Sequence, residues 1–119
     1  MVRAIRGATT INENSADEIY TATTELLEEM TVQNGIEPDD IVSIIFSVTS
    51  DLNAAFPAVA ARQMGWTKTA MMCTYEIDVP GSLKKCIRVM MHIQSEKGND
   101  ELKYVYLREA KRLRPDLAQ

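Results

Sequence analysis

The stretch from Cys73 to Met91 constrains the fold most strongly, because it places charges inside two apolar runs that flank a Pro80-Gly81 turn. Glu76 ends the first run, and Arg88 lies inside the second among Ile, Val and Met residues. A guanidinium in such surroundings needs an anionic partner, since burying it unpaired is very costly. Two interpretations stay open. In the first, Glu76 neutralises Arg88 or Arg88 reaches water from a sheet edge; in the second, Arg88 awaits an anionic ligand.

Hydrophobic periodicity predicts the element order βαβαβββ with short connections. The last strand is ambiguous, because its second half favours a helix. The predicted strands cover residues 2–10, 41–49, 67–77, 86–94 and 104–112; the predicted helices cover 15–34 and 57–64. This order predicts an α/β (α+β) domain with a mixed five-stranded sheet and helices on one face. Such a small domain leaves sheet edges that an oligomer could cover.

The first helix has the clearest sequence signals. Ser15-x-x-Glu18 has the form of a capping box, and Gly35 can take the positive φ that ends a helix. Between them an apolar stripe recurs at helical spacing, formed by Ile19, Ala22, Leu26, Leu27 and Met30. We expect this stripe to face the sheet.

Alternation along the strands predicts which faces are buried. In the strand 86–94, Cys86, Arg88, Met90 and His92 share one face, so the opposite, uncharged face should be the core side. In the strand 41–49, one face carries Val42, Ile44, Phe46 and Val48. That apolar face suits a helix layer.

Length and composition limit the class of protein. A chain of 119 residues predicts one domain, 1–119, and its 45% apolar and 25% charged content is ordinary for a globular protein. No apolar run approaches the ~20 residues of a membrane span, and the N-terminus lacks the pattern of a signal peptide. The net charge of −4 argues against nucleic-acid binding. We therefore expect a cytoplasmic protein without membrane or nucleic-acid partners.

The residue inventory favours binding of a small anion over nucleophilic or metal chemistry. Cys73 and Cys86 are expected to be free thiols, and with His92 they match no recognised zinc spacing, so no metal site is predicted. A single histidine supports no nucleophile–base set. Arginine and tyrosine side chains suit carboxylates, and a lone carboxylate suits a hydroxyl. The candidates are Arg6, Arg62, Arg88, Arg114, Tyr104, Tyr106, Glu76 and Cys73, and they indicate a dicarboxylate ligand without naming a reaction.

Short motifs match, nearly end to end and in order, those of one enzyme family. They are Ile5-Arg6-Gly7-Ala8-Thr9-Thr10, Thr49-x-Asp51-Leu52, Phe56-Pro57-Ala58, Cys73-x-x-Glu76-x-Asp78-Val79, Leu83 through Met91, Val105-Tyr106-Leu107, and Leu113 through Leu117. With these motifs the chain resembles the monofunctional, trimeric chorismate mutases of the bacterial pseudo-α/β-barrel type. The long block from Leu83 to Met91 makes the resemblance specific.

The resemblance implies a fold, an assembly and a reaction. The chain would form a homotrimeric pseudo-α/β barrel with active sites in clefts between subunits. Its reaction would be the intramolecular Claisen rearrangement of chorismate to prephenate, an isomerase step in phenylalanine and tyrosine biosynthesis. Neither a cofactor nor a covalent intermediate is implied.

The resemblance also implies roles for individual residues. Arg88 matches the arginine that donates to the ether oxygen, Arg6 the one that holds a carboxylate, and Tyr106 the carboxylate-binding tyrosine. Glu76, with Cys73, matches the group that binds the ring hydroxyl. The pocket lining would include Met72, Cys73, Thr74, Tyr75 and Glu76; its rim would include Phe56, Arg62, Leu113 and Arg114, with a flexible tail over about 113–119.

Two positions depart from the family pattern, and two other functions remain as alternatives. Val59 stands where a lysine is common, which removes one peripheral cation. Met72 stands where a small polar residue is common, so the side-chain contact expected at that position does not carry over. One alternative is a trimeric imine/enamine hydrolase of similar architecture, although its arginine-centred motif is not found. The other is a non-catalytic trimer that binds small dicarboxylates. Consumption of chorismate distinguishes the mutase from both.

Overall fold

The structure, a computed structural model, describes residues 1–113 and confirms the predicted order of strands and helices. No helix in this part of the chain has the length and apolarity needed to cross a membrane. The strands are β1 (Val2–Thr10), β2 (Ile41–Val48), β3 (Ala70–Tyr75), β4 (Cys86–Gln94) and β5 (Val105–Tyr106). The helices are α1 (Ala16–Asn34) and α2 (Ala58–Gln63), with 3₁₀ turns at Pro38–Asp40 and Arg108–Arg112.

The five strands form one mixed sheet in the order β3-β2-β4-β1-β5. The central strand β4 pairs antiparallel with both β1 and β2, whereas the outer strands β3 and β5 pair parallel to β2 and β1. The prediction of a mixed five-stranded sheet is therefore confirmed. Arg88 lies on the central strand, where both backbone edges are already paired.

The core lies on one face of the sheet, under both helices. The predicted stripe of α1 is buried, and its residues Leu26, Leu27 and Met30 pack in one cluster with Ile5 of β1 and Val89 of β4. Residues of α2 and Trp66 belong to the same cluster. This arrangement confirms that the helices cover one face and that the uncharged face of β4 is the core side.

The predicted face of β2 is wrong at its first residues. Ile41 is buried and Val42 is exposed, although strict alternation placed Val42 on the core face. The pairing of β2 with β4 shifts register between Ile41 and Ser43. Because one residue is passed over there, alternation is broken, and from Ile44 onward it follows the prediction.

Helix α1 begins and ends at the predicted residues, but the capping box is different. The Ser15 hydroxyl accepts from the Glu18 amide at 3.2 Å, as expected. The Glu18 carboxylate accepts from the amides of Asn12 and Glu13 instead of that of Ser15. Glu18 therefore holds the β1–α1 connection against the helix start. Gly35 ends the helix at φ 62°.

The prediction of a strand over 104–112 is wrong beyond Tyr106. Only Val105 and Tyr106 pair with β1, and Arg108 then adopts φ 52°, which ends the extended conformation. The Arg108 guanidinium donates to the Thr10 carbonyl at 3.2 Å and lies 3.6 Å from a Glu25 carboxylate oxygen. These tertiary contacts hold a backbone conformation that local propensity does not favour.

The short strand β5 is positioned by a buried asparagine at the end of α1. Asn34 Nδ2 donates to the carbonyls of Met30 and Lys103 at 2.9 Å, and Oδ1 accepts from the Lys103 amide at 2.7 Å. Asn34 is 3% exposed, so its side chain supplies the Lys103 backbone with the hydrogen bonds that water would form in an exposed chain. Asn34 thereby ties the segment that leads into β5 to the helix.

Gly7 allows α1 to pack closely on β1, beside Arg6. A Cβ atom at Gly7 would lie 2.6 Å from Met30 Sδ and 3.0 Å from Leu26 Cδ1, and both neighbours are fully buried. We expect Gly7→Ala to lower the free energy of unfolding by about 1–3 kcal/mol through overpacking, measured by chemical denaturation.

The variant Met30→Ala supplies the control for this prediction, because it removes the closest atoms. In that background Gly7→Ala should cost little or should stabilise, since its methyl group fills part of the cavity. An equal loss in both backgrounds would show that contact with Met30 is not the cause.

Candidate active site

The Arg88 guanidinium and the Glu76 carboxylate lie side by side on the sheet face opposite α1. Arg88 Nε is 3.7 Å from Glu76 Oε1, and each side chain is 27% exposed. The two charges attract at this separation, but it is too long for a hydrogen bond. Within residues 1–113, Arg88 Nε is a buried donor without an acceptor. Glu76 therefore balances the charge of Arg88 and leaves its Nε–H available.

Three neighbouring strands align Arg88 with Tyr106. Ala8 of β1 is in register with Arg88 on one side and with Tyr106 on the other. Neighbouring strands lie about 4.8 Å apart, so the Cα atoms of Arg88 and Tyr106 are separated by about 10 Å across a small alanine. Arg6 lies two residues from Ala8 on the same face, in register with Met90. Two cations and a phenol thus surround a position where the side chain is a single methyl group.

The Tyr106 hydroxyl is a second buried donor without a partner among residues 1–113. Its ring packs in a small cluster with Ala8, Cys86 and Ala110, and the residue is 1% exposed. Burying a hydroxyl without a hydrogen bond is unfavourable. An anionic ligand on this face could satisfy Tyr106 and Arg88 together.

Cys86 lies beside Arg88 as a neutral thiol. Burial raises the pKa of Cys86 to about 11; Arg88 lowers it, and Glu76 and Asp51 raise it further. Cys86 therefore remains protonated near neutral pH and cannot act there as a thiolate nucleophile. Its role in this cluster is to pack beside the guanidinium without adding charge.

The other predicted pocket residues lie on β3 and around α2. By register, Met72 and Thr74 are on the Arg88 face, whereas Cys73 and Tyr75 pair with Phe46 and Val48 on the helix face. Met72 and Tyr75 are each 60% exposed, and Cys73 packs against the main core. Within one chain, the Cys73 side chain is therefore not beside Glu76.

Phe56 and Arg62 are exposed near the outer edge of the sheet. Phe56 is 68% exposed and borders a groove of about 470 Å³ with Cys73, Thr74 and Tyr75. Arg62 is in the last turn of α2 and is also exposed. The candidate residues of one chain thus form two groups. The Arg88 group consists of Arg6, Glu76, Arg88 and Tyr106, and the other group lies along β3 and around α2.

Two further cavities flank the Arg88 group. One, of about 390 Å³, lies between residues 49–51 and the loop 76–84 and is lined by Glu76. The other, of about 630 Å³, lies between residues 10–12, residues 81–85 and the last 3₁₀ turn, and it is lined by Leu113. Neither is lined by Arg6, Arg88 or Tyr106. These side chains therefore lie outside both cavities, with Arg88 Nε and the Tyr106 hydroxyl buried.

At the end of the described chain, Leu113 packs against the cluster of Ala8, Cys86 and Tyr106, which brings it close to the Arg88 group. Arg114, and the predicted tail from 114 to 119, lie outside the described residues. Among residues 1–113, no three His, Cys, Asp or Glu side chains are grouped so that they could hold a metal ion.

Two features of the site were not assigned a role from the sequence. Ala8 separates Arg88 from Tyr106, which only strand pairing reveals. Thr49 and Asp51 hold the backbone at the start of β4 through hydrogen bonds to Cys86 and Lys85. Their Thr-x-Asp motif was visible in the sequence, but its partner lies about 35 residues away, beyond the reach of local patterns.

Comparison with known proteins identifies the family. The model of the family "Chorismate mutase type I" matches residues 2–117. Chorismate mutase AroH of Bacillus subtilis (strain 168) is 45% identical over 119 residues, covering 99% of this chain and 94% of the relative. Chorismate mutase AroH of Thermus thermophilus is 48% identical over 118 residues, covering 98% and 97%.

A solved structure agrees with the sequence relatives. The chorismate mutase from Clostridium thermocellum superposes with a TM-score of 0.91 at 64% sequence identity, covering 92% of this chain and 97% of the other. The match therefore extends over the sheet, both helices and the residues around Arg88. The chain belongs to the type I chorismate mutase family.

Proposed function

We propose that the chain isomerises chorismate to prephenate with Arg88, Glu76 and Arg6 as its catalytic residues and Tyr106 as a carboxylate ligand. As a member of its family, the chain is a chorismate mutase. The assignment of residues depends on one observation: Arg88 carries a buried Nε–H without an acceptor in residues 1–113, beside a carboxylate that balances its charge.

The reaction needs a fixed cation more than it needs an acid, a base or a nucleophile. One carbon–oxygen bond breaks and one carbon–carbon bond forms within the same molecule, and the ether oxygen gains partial negative charge in the transition state. Arg88 donates to that oxygen, and its bond strengthens as the charge develops. Such a donor, already in place before the reaction, contributes about 3–4 kcal/mol of barrier lowering.

Glu76 and the cations of β1 and β5 orient the substrate. Glu76 accepts a hydrogen bond from the ring hydroxyl while it remains the counter-charge of Arg88. Arg6 of β1 and Tyr106 of β5 lie on the Arg88 face of the sheet near Ala8, and each binds a carboxylate. Holding both ends of the molecule favours the compact conformer in which the reacting carbons meet.

We also propose that the enzyme is a homotrimer in which neighbouring subunits complete each site. Neither cavity that flanks the Arg88 group in one chain is lined by Arg6, Arg88 or Tyr106, and a second group with Phe56 and Arg62 is exposed along the other edge of the sheet. Large apolar side chains on β2 and β3 are exposed as well: Val42, Ile45, Met72 and Tyr75. A parallel edge strand with such side chains favours burial against another copy.

Free thiols at Cys73 and Cys86 suit a cytoplasmic location.

The role of Arg88 can be tested with Arg88→Lys, which keeps the charge but loses the planar donor. We expect kcat for chorismate consumption to fall by about 10²-fold or more, with a smaller change in KM, because the lost bond forms mainly in the transition state. A continuous absorbance assay of chorismate gives both constants.

Arg3→Lys is the matched control, because Arg3 is on the same sheet but its guanidinium bonds the Lys97 carbonyl away from this site. It should retain the parent kcat. If Arg88→Lys kept most of its turnover while it remained folded by circular dichroism, the proposed site would be wrong.

The shared site can be tested by combining two defective chains. Arg88→Ala removes one group, and the double variant Phe56→Ala/Arg62→Ala weakens the other. If both groups form each site in a closed ring, random co-assembly should restore about one quarter of the sites. Co-expressed chains should therefore be more active than either variant alone, and sedimentation should give a trimer.

A chain that carries all three changes supplies the control. Co-expressed with Arg88→Ala, it provides no intact Arg88 group and should restore nothing. A monomer in sedimentation, or a mixture no more active than the mean of its components, would contradict a site between subunits.

A further inference from the structure

We propose that Asp51 is a positioning residue for Arg88, acting through the backbone at the start of β4. Asp51 has no place among the residues that we expect to touch substrate. The inference rests on the proposed function, because it takes Arg88 as the group whose position controls turnover. It assigns a task to the Thr49-x-Asp51 motif at the end of β2.

The Asp51 carboxylate holds the residues that lead into β4. Its two oxygens accept from the Lys85 amide at 3.2 and 3.0 Å. Its Oδ1 also accepts from the Thr49 hydroxyl at 2.5 Å, and the Thr49 Oγ1 accepts in turn from the Cys86 amide at 3.0 Å. The side chains of Thr49 and Asp51 therefore hold two successive backbone amides, those of Lys85 and Cys86.

These hydrogen bonds hold the backbone of Lys85 in a conformation that would otherwise be unfavourable. Lys85 has a φ of 49°, in the left-handed region that non-glycine residues rarely adopt. Charge-assisted bonds from its amide to a carboxylate compensate for that conformation. Without them, Lys85 can return to the ordinary region and change the direction in which the chain enters β4, three residues before Arg88.

The same segment also fixes Glu76 relative to Arg88. The Glu76 amide donates to the Val48 carbonyl at 2.8 Å, and the Thr49 amide donates to the Cys86 carbonyl at 3.1 Å. The end of β2 is thus bonded on one side to the chain that carries Glu76 and on the other to the chain that carries Arg88. The separation of 3.7 Å between their side chains depends on this connection.

The position of Asp51 argues against a role in general stability. Asp51 is exposed and belongs to no hydrophobic cluster of residues 1–113, and in that part of the chain it forms no ion pair. Its partners are the Lys85 amide and the Thr49 hydroxyl, at the entrance to one strand. Removing it should therefore change the geometry of β4 more than it changes the stability of the domain.

The test is the variant Asp51→Ala. We expect kcat to fall on the order of tenfold to a hundredfold, because small displacements of a catalytic group cost that much. KM should change much less, since Arg6 and Tyr106 lie on other strands, and the thermal unfolding temperature should move little. Asp51→Asn should lie between Asp51→Ala and the parent, because its carbonyl can replace Oδ1 and accept from Thr49 and Lys85, whereas its amide nitrogen cannot accept from Lys85 as Oδ2 does.

Two controls separate the hydrogen bonds from charge and from bulk. Asp78→Asn removes the same charge from the neighbouring loop, where residues 1–113 give Asp78 no side-chain bond, and should keep the parent kcat. Thr49→Ser keeps the hydroxyl and should retain most of the turnover, whereas Thr49→Val should resemble Asp51→Ala. Equal losses in Thr49→Ser and Thr49→Val would overturn the proposal.

A double-mutant cycle tests whether Asp51 acts through Arg88. In the Arg88→Lys background, the factor lost on adding Asp51→Ala should shrink toward one, since the group being positioned has gone. The same factor in both backgrounds would overturn the positioning role. Should Asp51→Ala fail to fold, Asp51→Asn carries the same cycle.

The outcomes also distinguish this inference from the proposed function. If Arg88→Lys alone left kcat unchanged, the catalytic assignment would fail, whatever Asp51 does. If Arg88→Lys lowered kcat but Asp51→Ala did not, only the positioning role would fail. A rise in KM with kcat unchanged would likewise contradict the positioning role, because it would show that Asp51 acts on substrate binding.

Discussion

The separation between the Arg88 guanidinium and the Glu76 carboxylate determines what this face of the sheet can do. At 3.7 Å the attraction is about 4 kcal/mol for an effective dielectric constant of ~20, which is of the size needed to offset partial burial of the two charges. The distance is nevertheless too long for Nε–H to be satisfied. The pair therefore balances charge and leaves the directional Nε–H bond unused among residues 1–113, as the proposed donation to an ether oxygen requires.

The fold keeps this arrangement rigid by dividing the sheet into two faces. The helix face carries the core, so β4 is held by packing on one side and by β1 and β2 along both edges. The opposite face is then free to carry polar groups. Two non-glycine residues with positive φ, Lys85 and Arg108, lie next to the strands that carry Arg88 and Tyr106. Strain of this kind persists only where surrounding bonds impose it, and here those bonds come from Asp51, Thr10 and Glu25.

Local patterns predicted the features that depend on neighbouring residues. Periodicity predicted the element order, the buried stripe of α1 and the core face of β4. The motifs pointed to the chorismate mutase family, and membership of that family excludes the two alternatives, the imine/enamine hydrolase and the non-catalytic binder. The turn at Arg108 and the register shift near Ile41 depend on tertiary contacts and could not be predicted. The same is true of Ala8 between Arg88 and Tyr106, because the strand order β3-β2-β4-β1-β5 joins distant segments. The two interpretations of Arg88 are not exclusive, because Glu76 is its counter-charge and its Nε–H still has no acceptor among residues 1–113.

The neutral thiol at Cys86 completes this electrostatic arrangement. With its pKa raised to about 11 by burial, Cys86 adds no negative charge beside Arg88 at neutral pH. A second carboxylate in that position would cancel the field of the guanidinium and would also repel a dianionic substrate. A larger apolar side chain would have to displace Tyr106 or Leu113, which pack in the same cluster. A small, uncharged, buried residue next to Arg88 therefore adds no second negative charge beside the cation, and the Nε–H, which has no acceptor among residues 1–113, can respond when negative charge develops on a ligand.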